Sequence, residues 1–329
     1  MGTDRVTVGI DASDTELGRM VAARAASDPG VAAVVPVGPA GPALVDVLVL
    51  LAPGEGDDVA GTSVVGTDLA AARALLSSTT ASTVVVLSTA MVYGARPDAP
   101  VPLTEAAPVQ PVPGARYPED RAALERAVAD WRRDRPGTTV AVLRPSVCVA
   151  PSAAPSWLER SAWHARSLRQ VGRDRPAQFL HLYDLAAAVE LARRHRLDGQ
   201  FNVAPDGWLS AREQLELVGA GRPPRITAPA AATWTRLRWW VGLGSTPPDL
   251  AAYARHPWVV ANDRLRAQGW EPEFTNEEAF VVGHRPGWWS TLTPDQRQLA
   301  ALGGSLAALV ALSAGALVAL RRAGRPGYS

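Results

Sequence analysis

Eight residues near the start of the chain carry the first hint of chemistry. Val6–Ile10 is a short apolar run, and Asp11-Ala12-Ser13-Asp14-Thr15-Glu16-Leu17-Gly18 follows it. An Ala/Arg-rich stretch to about Ser27 has helical texture, and a second apolar run, Val31–Val37, comes next. Strand, loop, helix and strand in that order put a backbone loop at a helix N-terminus. Amide N–H groups and the positive end of the helix dipole there favour a diphosphate. The motif for such a loop has three glycines; here Ala12 and Thr15 stand at the first two positions and Gly18 at the third. Asp11, Asp14 and Glu16 bring negative charge to the same turn, while Arg19, directly after Gly18, is a cation able to contact a phosphate. Losing a glycine that needs positive φ costs about 1 kcal/mol. A few kcal/mol in all corresponds to about a hundredfold in affinity.

Composition narrows the function classes. The chain has 329 residues, 47% of them hydrophobic, so it can bury a sizeable core. A net charge of +1 gives no electrostatic case for nucleic acid. The single cysteine, Cys148, excludes a disulfide framework and a cysteine metal cluster, and the five histidines lack metal-ligand spacing. All 33 basic side chains are arginines, so a site that ordinarily uses lysine must use something else.

The first residues lack a basic-then-apolar export pattern. Near the other end, Leu299–Leu320 is free of charge and bounded by Arg297 and Arg321-Arg322. At 1.5 Å per residue such a helix spans roughly 33 Å, enough for a bilayer core. The expectation is a transmembrane anchor over 299–320 that holds the body at the cytoplasmic face of the membrane. The alternative is an Ala-rich helix buried in a homodimer or against the body.

Apolar β-branched runs alternate with helical patterns along most of the chain. Strands are expected at Val6–Ile10, Val31–Val37, Asp46–Leu51, Thr83–Leu87, Thr138–Leu143 (stopped by Pro145), Gln178–Leu182 and Gln200–Val203. Helices are expected at Thr67–Leu76, Glu119–Arg133 and Asp184–His195. Continuous apolar strands separated by helices imply a parallel sheet covered on both faces. From about Trp208 the texture changes to proline-rich joints and tryptophans, with Ser210 and Glu213 forming a capping box for a helix over Ala211–Val218. The expected organisation is a nucleotide-binding domain at 1–150 and 176–205, a small substrate subdomain at 151–175 and 206–285, a linker at 286–298 and the apolar helix at 299–320.

Five segments in the middle of the chain form an ordered set. They are Leu87-Ser88-Thr89-Ala90-Met91-Val92-Tyr93-Gly94, Tyr117-Pro-Glu-Asp-Arg121-Ala-Ala-Leu-Glu125, Leu143-Arg144-Pro145, Phe179-Leu-His181-Leu-Tyr-Asp184 and Phe201-Asn202-Val203. In order and spacing this set resembles the extended short-chain dehydrogenase/reductase family of the NAD-dependent epimerase/dehydratase type, from about Val6 to Phe280. The resemblance implies an α/β fold: a Rossmann-like doubly wound parallel sheet, a smaller C-terminal α/β subdomain and, in this chain, the C-terminal apolar helix.

That family works through a Ser or Thr, a Tyr, and a Lys four residues after the Tyr. A phenol with its ordinary pKa near 10 is a poor base at neutral pH, so a cation one helical turn away must favour its ionised form. Carried onto this chain, the hydroxyl falls on Thr89 with Ser88 beside it, the acid/base on Tyr117 and the cation on Arg121. Arginine departs from the pattern, keeping the charge but presenting a planar, bulkier fork. The cofactor implied is NAD or NADP, held by Ala12, Thr15, Gly18, Arg19, Ser88 and, at the end of the third strand, Ala52. No carboxylate follows the second strand to grip a ribose. His181 and Asp184 fit a structural tie between sheet and helix, and Arg144 either lines the cleft or forms a salt bridge. Two functions stand at this point. One is an NAD(P)-dependent oxidoreductase or epimerase acting on a hydroxyl or keto group of a small substrate, such as a sugar nucleotide or a lipid-linked compound. The other is a catalytically impaired relative that binds a ligand or partner at the membrane.

Overall fold

The computed structural model describes residues 5–41, 43–51, 69–149, 169–170, 176–218, 225–226, 233 and 250–283. The expectations for Ala52, for 286–298 and for 299–320 lie outside the described residues; among those described, no helix is long and apolar enough to cross a membrane. The chain divides into two compact units, Met1–Gly283 and His284–Ser329. The described strands and helices all belong to the first unit.

Its elements are β1 (Val6–Ile10), α1 (Glu16–Ala26), β2 (Val31–Pro36), β3 (Val47–Leu50), α2 (Leu69–Ser78), β4 (Thr83–Leu87), a 3-10 turn (Ala90–Tyr93) and α3 (Arg116–Arg133). After these come β5 (Thr139–Pro145), β6 (Val147–Val149), β7 (Arg169–Gln170), β8 (Phe179–His181), α4 (Leu182–Arg194), β9 (Gly199–Val203), α5 (Ala211–Val218) and β10 (Arg225–Ile226). The last three helices are α6 (Ala251–Arg255), α7 (Asp263–Arg266) and α8 (Asn276–Gly283). Six strands form a parallel sheet in the order β2-β1-β3-β4-β5-β9.

The strands alternate between two cores, as the two-residue period of a strand requires. Val47, Val49, Val85, Ala141 and Leu143 face one core with Val21 of α1 and Leu185 and Val189 of α4. Leu48, Leu50, Val84, Val86, Val140 and Val142 face the other with Leu75 of α2 and Leu124 and Val128 of α3. Both faces are thus covered, as the continuous apolar runs imply.

The order places β1 where the chain steps one way to β2 and the other way to β3. In open α/β sheets, ligands bind outside the carboxyl ends of the strands at such a switch point. Compared with the dinucleotide-binding order 3-2-1-4-5-6, no described strand lies beyond β2, which is the edge strand and only partly buried. The described residues between Pro36 and Val47 form no helix. Instead this connection lies on β1 at Gly9, where a Cβ would meet Val37 at 2.9 Å and Val45 at 3.0 Å.

Most element bounds shift by a residue or two from expectation, and two of the shifts have an evident cause. β5 runs through Pro145, which pairs with Val203; a proline at the end of a strand forfeits only one donor. α3 begins at Arg116 rather than Glu119, because Pro118 falls within the first turn, where amide hydrogens have no intrahelical partner anyway. The capping box is present: Ser210 Oγ accepts the Glu213 N–H at 3.2 Å and Glu213 accepts the Ser210 N–H at 2.7 Å.

Candidate active site

The loop after β1 keeps a tight turn with one of the three glycines. Ala12 has a φ of 46°, a left-handed conformation that suits glycine. Gly18 is required by contact, since a Cβ there would lie 2.2 Å from the Ala12 carbonyl oxygen. Thr15 is the N-cap of α1. Its hydroxyl accepts the Gly18 N–H at 3.0 Å and donates to the Ala12 carbonyl at 2.8 Å. Arg19 is exposed and donates back to the Asp14 carbonyl.

The three carboxylates of this turn have separate fates. Asp11 is buried and accepts the Leu51 N–H, so its charge is taken up by the end of β3. Asp14 is exposed, and Glu16 is half-buried close enough to His181 to act on its titration. His181 caps α4 by accepting the Tyr183 N–H at 3.2 Å and stacks on Phe274 at 3.9 Å. Burial pushes its imidazole below the ordinary value, against Asp184 and Glu16. Asp184 accepts the N–H groups of Glu273 and Phe274 at 2.9 and 3.2 Å. These two residues tie the end of β8 and the start of α4 to the 270–274 segment.

Leu51 joins the loop to the candidate cation. Its N–H goes to Asp11, and its carbonyl accepts Arg121 Nη1 at 3.1 Å. The same Nη1 donates to the Leu87 carbonyl at 2.7 Å. Arg121 is 5% exposed, and its guanidinium lies 5.4 Å from the centroid of the Tyr117 ring. Its acidic sequence neighbours are engaged elsewhere: Glu119 accepts the Gly114 N–H at 3.0 Å and Asp120 pairs with Arg116 at 3.6 Å. Thr89, two residues beyond Leu87, caps the 3-10 turn by accepting the Met91 N–H at 3.3 Å, and Tyr117 packs beside Met91. Thr89, Tyr117 and Arg121 therefore gather at the carboxyl ends of β3 and β4, next to the loop after β1.

Beneath them runs a buried polar network that the motifs reveal only in part. Ser88 Oγ donates to Glu125, which is held at both oxygens by Arg144. Arg144 also donates to the Tyr93 hydroxyl, which donates to Asn202 Oδ1, each at 2.8 Å. Glu105 accepts the Asn202 N–H at 2.8 Å. Burial opposes the charge on Arg144, but its hydrogen bonds to Glu125, the Glu125 charge and the Tyr93 contact together outweigh it and the net direction is up. Burial pushes the Tyr93 phenol up, against the pull of Arg144. Ser88 thus supports α3 through Glu125, and Arg144 is a salt-bridge partner. Glu125 falls one turn after Arg121 on the same helix face, a spacing that could have exposed it. Glu105 and Tyr93 carry no local signal.

Residues 45–204 match the model of the NAD dependent epimerase/dehydratase family. Uncharacterized proteins of Mycobacterium tuberculosis and Mycobacterium bovis are 30% identical over 200 residues, covering 60% of this chain and 52% of theirs. The chain thus spans about half the length of the curated relatives it matches. Among solved structures, a human epimerase family protein with NADPH is 14% identical with a TM-score of 0.60, over 84% of this chain and 98% of its own. The UDP-N-acetylglucosamine 4-epimerase of Bacillus cereus is also 14% identical, with a TM-score of 0.57 over 84% of this chain and 97% of its own. The Thermus thermophilus UDP-glucose 4-epimerase in complex with NAD is 16% identical, with a TM-score of 0.57 and the same coverage. At these identities the likeness is one of fold. Together with the match over 45–204, it supports the chain as a divergent member of the NAD dependent epimerase/dehydratase family.

Proposed function

We propose that the chain binds NAD or NADP at the switch point and acts as an epimerase/dehydratase-like oxidoreductase on a hydroxyl or keto group of a small substrate. The observation that carries this is the link through Leu51: one residue's backbone joins the loop after β1, still turned by Ala12 and Gly18, to the cation that lies over Tyr117. The residues fit a dinucleotide in outline. α1 points its positive end at the crevice, and Asp11 is turned away from it into a hydrogen bond. When bound, the nicotinamide supplies the hydride acceptor or donor. Thr89 is assigned to hold the substrate oxygen, and Tyr117 to take the proton from a carbinol oxygen or return it to a carbonyl. Arg121, fixed by two carbonyls, supplies the positive charge beside the Tyr117 ring.

Calorimetric titration with NADH and with NADPH up to millimolar concentration tests the reading. Heat of binding with 1:1 saturation is expected for at least one of them, and none for either would overturn it. A second reading, a catalytically impaired relative, is favoured by one observation: Thr15 already satisfies the Gly18 N–H that a diphosphate would compete for. Loss of a measured turnover in Tyr117→Phe would dispose of it. We further propose that 299–320 holds the protein at the cytoplasmic face of a membrane, where a lipid-linked or sugar-nucleotide substrate would be met. Truncation after Asp295 should then move the protein from the membrane to the soluble fraction; an unchanged distribution would sink the anchor.

A further inference from the structure

The first turn of α3 carries Tyr117 with no side chain to cap it. Its N-cap is Ala115, which makes no side-chain hydrogen bond, so the placing of this end depends on how the preceding segment is held. Support comes from a residue far along the chain. The Tyr253 hydroxyl accepts the Val112 N–H at 3.0 Å and donates to the Met91 carbonyl at 2.8 Å. Val112 in turn accepts the Ala115 N–H at 3.0 Å, where α3 begins. Met91 lies in the 3-10 turn that Thr89 caps. One phenolic oxygen therefore spans the segment that launches Tyr117 and the segment that follows Thr89.

Tyr253 is itself firmly held. It is 7% exposed and packs with Met91, Ala95, Ala115 and Leu250, alongside Tyr117. The Trp258 ring meets it edge-on at 6.0 Å, and the indole N–H donates to its carbonyl at 3.0 Å. Burial pushes its phenol up to about 12, so it keeps the proton it donates throughout the neutral range.

We propose that Tyr253 is a positioning residue whose hydroxyl sets the spacing between Thr89 and Tyr117. The proposal rests on the reading of those two residues as the substrate-orienting hydroxyl and the acid/base. Tyr253→Phe keeps the ring and removes only the oxygen. Leu250→Ala, in the same cluster, loosens the packing and keeps the bridge.

The experiment uses the full chain with tyrosine labelled by ¹³C at Cζ, the Tyr117 resonance being identified by its loss in Tyr117→Phe. In Tyr253→Phe the Tyr117 line should broaden or split, and amide exchange in 112–120 should rise at least tenfold relative to β3 and β4. In Leu250→Ala the Tm should fall, with the Tyr117 line and the exchange of 112–120 unchanged. A sharp single Tyr117 line and exchange within twofold of wild type in Tyr253→Phe would overturn the proposal, as would the same changes in Leu250→Ala. Wild type provides a check that needs no variant: the Val112 amide should be protected to within tenfold of core α3 amides, and loop-like exchange there would also overturn it. NADH and NADPH titrations on the same samples separate the two readings. Failure of both to bind the wild type removes the oxidoreductase reading, while the Tyr117 line still decides what Tyr253 does.

Discussion

Arg144 grips both oxygens of Glu125, with Nε 3.0 Å from Oε1 and Nη2 2.6 Å from Oε2, and the two side chains are 5% and 10% exposed. Such a pair fastens α3, which carries Tyr117 and Arg121, to the carboxyl end of β5. Removing one partner strands a buried charge and typically costs about 3–5 kcal/mol, whereas replacing both by apolar groups costs far less. Glu125→Gln and Arg144→Met should each lose stability on that scale in urea unfolding. The double variant Glu125→Leu/Arg144→Met should lose much less than the sum. Additive losses would mean that the pair does not act as a unit.

Gly18→Ala places a methyl against the Ala12 carbonyl, 2.2 Å from its oxygen. Because the contact is with backbone, α1 or the loop must shift, and a loss of about 2–4 kcal/mol is expected from the overpacking and strain. Urea unfolding checks it, and a loss under about 0.5 kcal/mol would show that the loop has room to give.

Ala12→Gly should act in the opposite sense. It relieves a φ of 46°, worth about 1–2 kcal/mol, against the extra unfolded-state freedom of glycine, about 0.5–1 kcal/mol. A net gain of up to about 1.5 kcal/mol is expected, read as a rise in the urea midpoint with unchanged slope.

Thr15→Gly should trade stability for affinity. Losing the N-cap hydroxyl costs no more than about 1 kcal/mol, and it frees the Gly18 N–H for a diphosphate. Calorimetry should show NADH or NADPH binding about tenfold more tightly than wild type; weaker binding would mean that Thr15 itself helps to hold the cofactor.

Burial holds the His181 imidazole below its ordinary value of 6.5, with Asp184 and Glu16 pulling the other way. The folded state therefore takes up a proton less readily than the unfolded chain, which fixes the sign of the linkage. This contribution is complete above about 6.5 and is lost as the pH falls from there toward the lower folded-state value. His181→Asn keeps a side-chain acceptor for the Tyr183 N–H but cannot titrate. Its stability should fall less than that of wild type between pH 7.5 and 5.5, and equal falls would remove His181 as the source.

Much of the fold can be read in the sequence because its signal is local. The alternation of Val47 and Val49 with Leu48 and Leu50 lies in four adjacent residues. The Ser210–Glu213 box needs no information beyond its own turn. The order of Thr89, Tyr117 and Arg121 is legible for the same reason. What stays hidden depends on partners distant in the chain. Counting charges in Asp11–Gly18 gives three carboxylates in one turn, yet the Asp11 carboxylate belongs to Leu51, forty positions away. Tyr253 meets Met91 across 162 positions and Asn202 meets Glu105 across 97; no periodicity records such pairs. α3 starts three residues before the expected Glu119, since Pro118 is harmless in a first turn.

The position of β9 at the end of the sheet has a kinetic consequence. The chain leaves the sheet at Pro145 and returns only at Gly199, after β6, β7, β8 and α4 have been traced. β9 is therefore the last strand of the described sheet to be synthesised, and its pairing must wait for that excursion to be made. Asn202, which accepts the Tyr93 hydroxyl across 109 positions, arrives with it. The polar network under Thr89 and Tyr117 is therefore completed by the last of these strands to be made. A nascent chain can carry a nearly finished sheet while its chemistry is still unassembled.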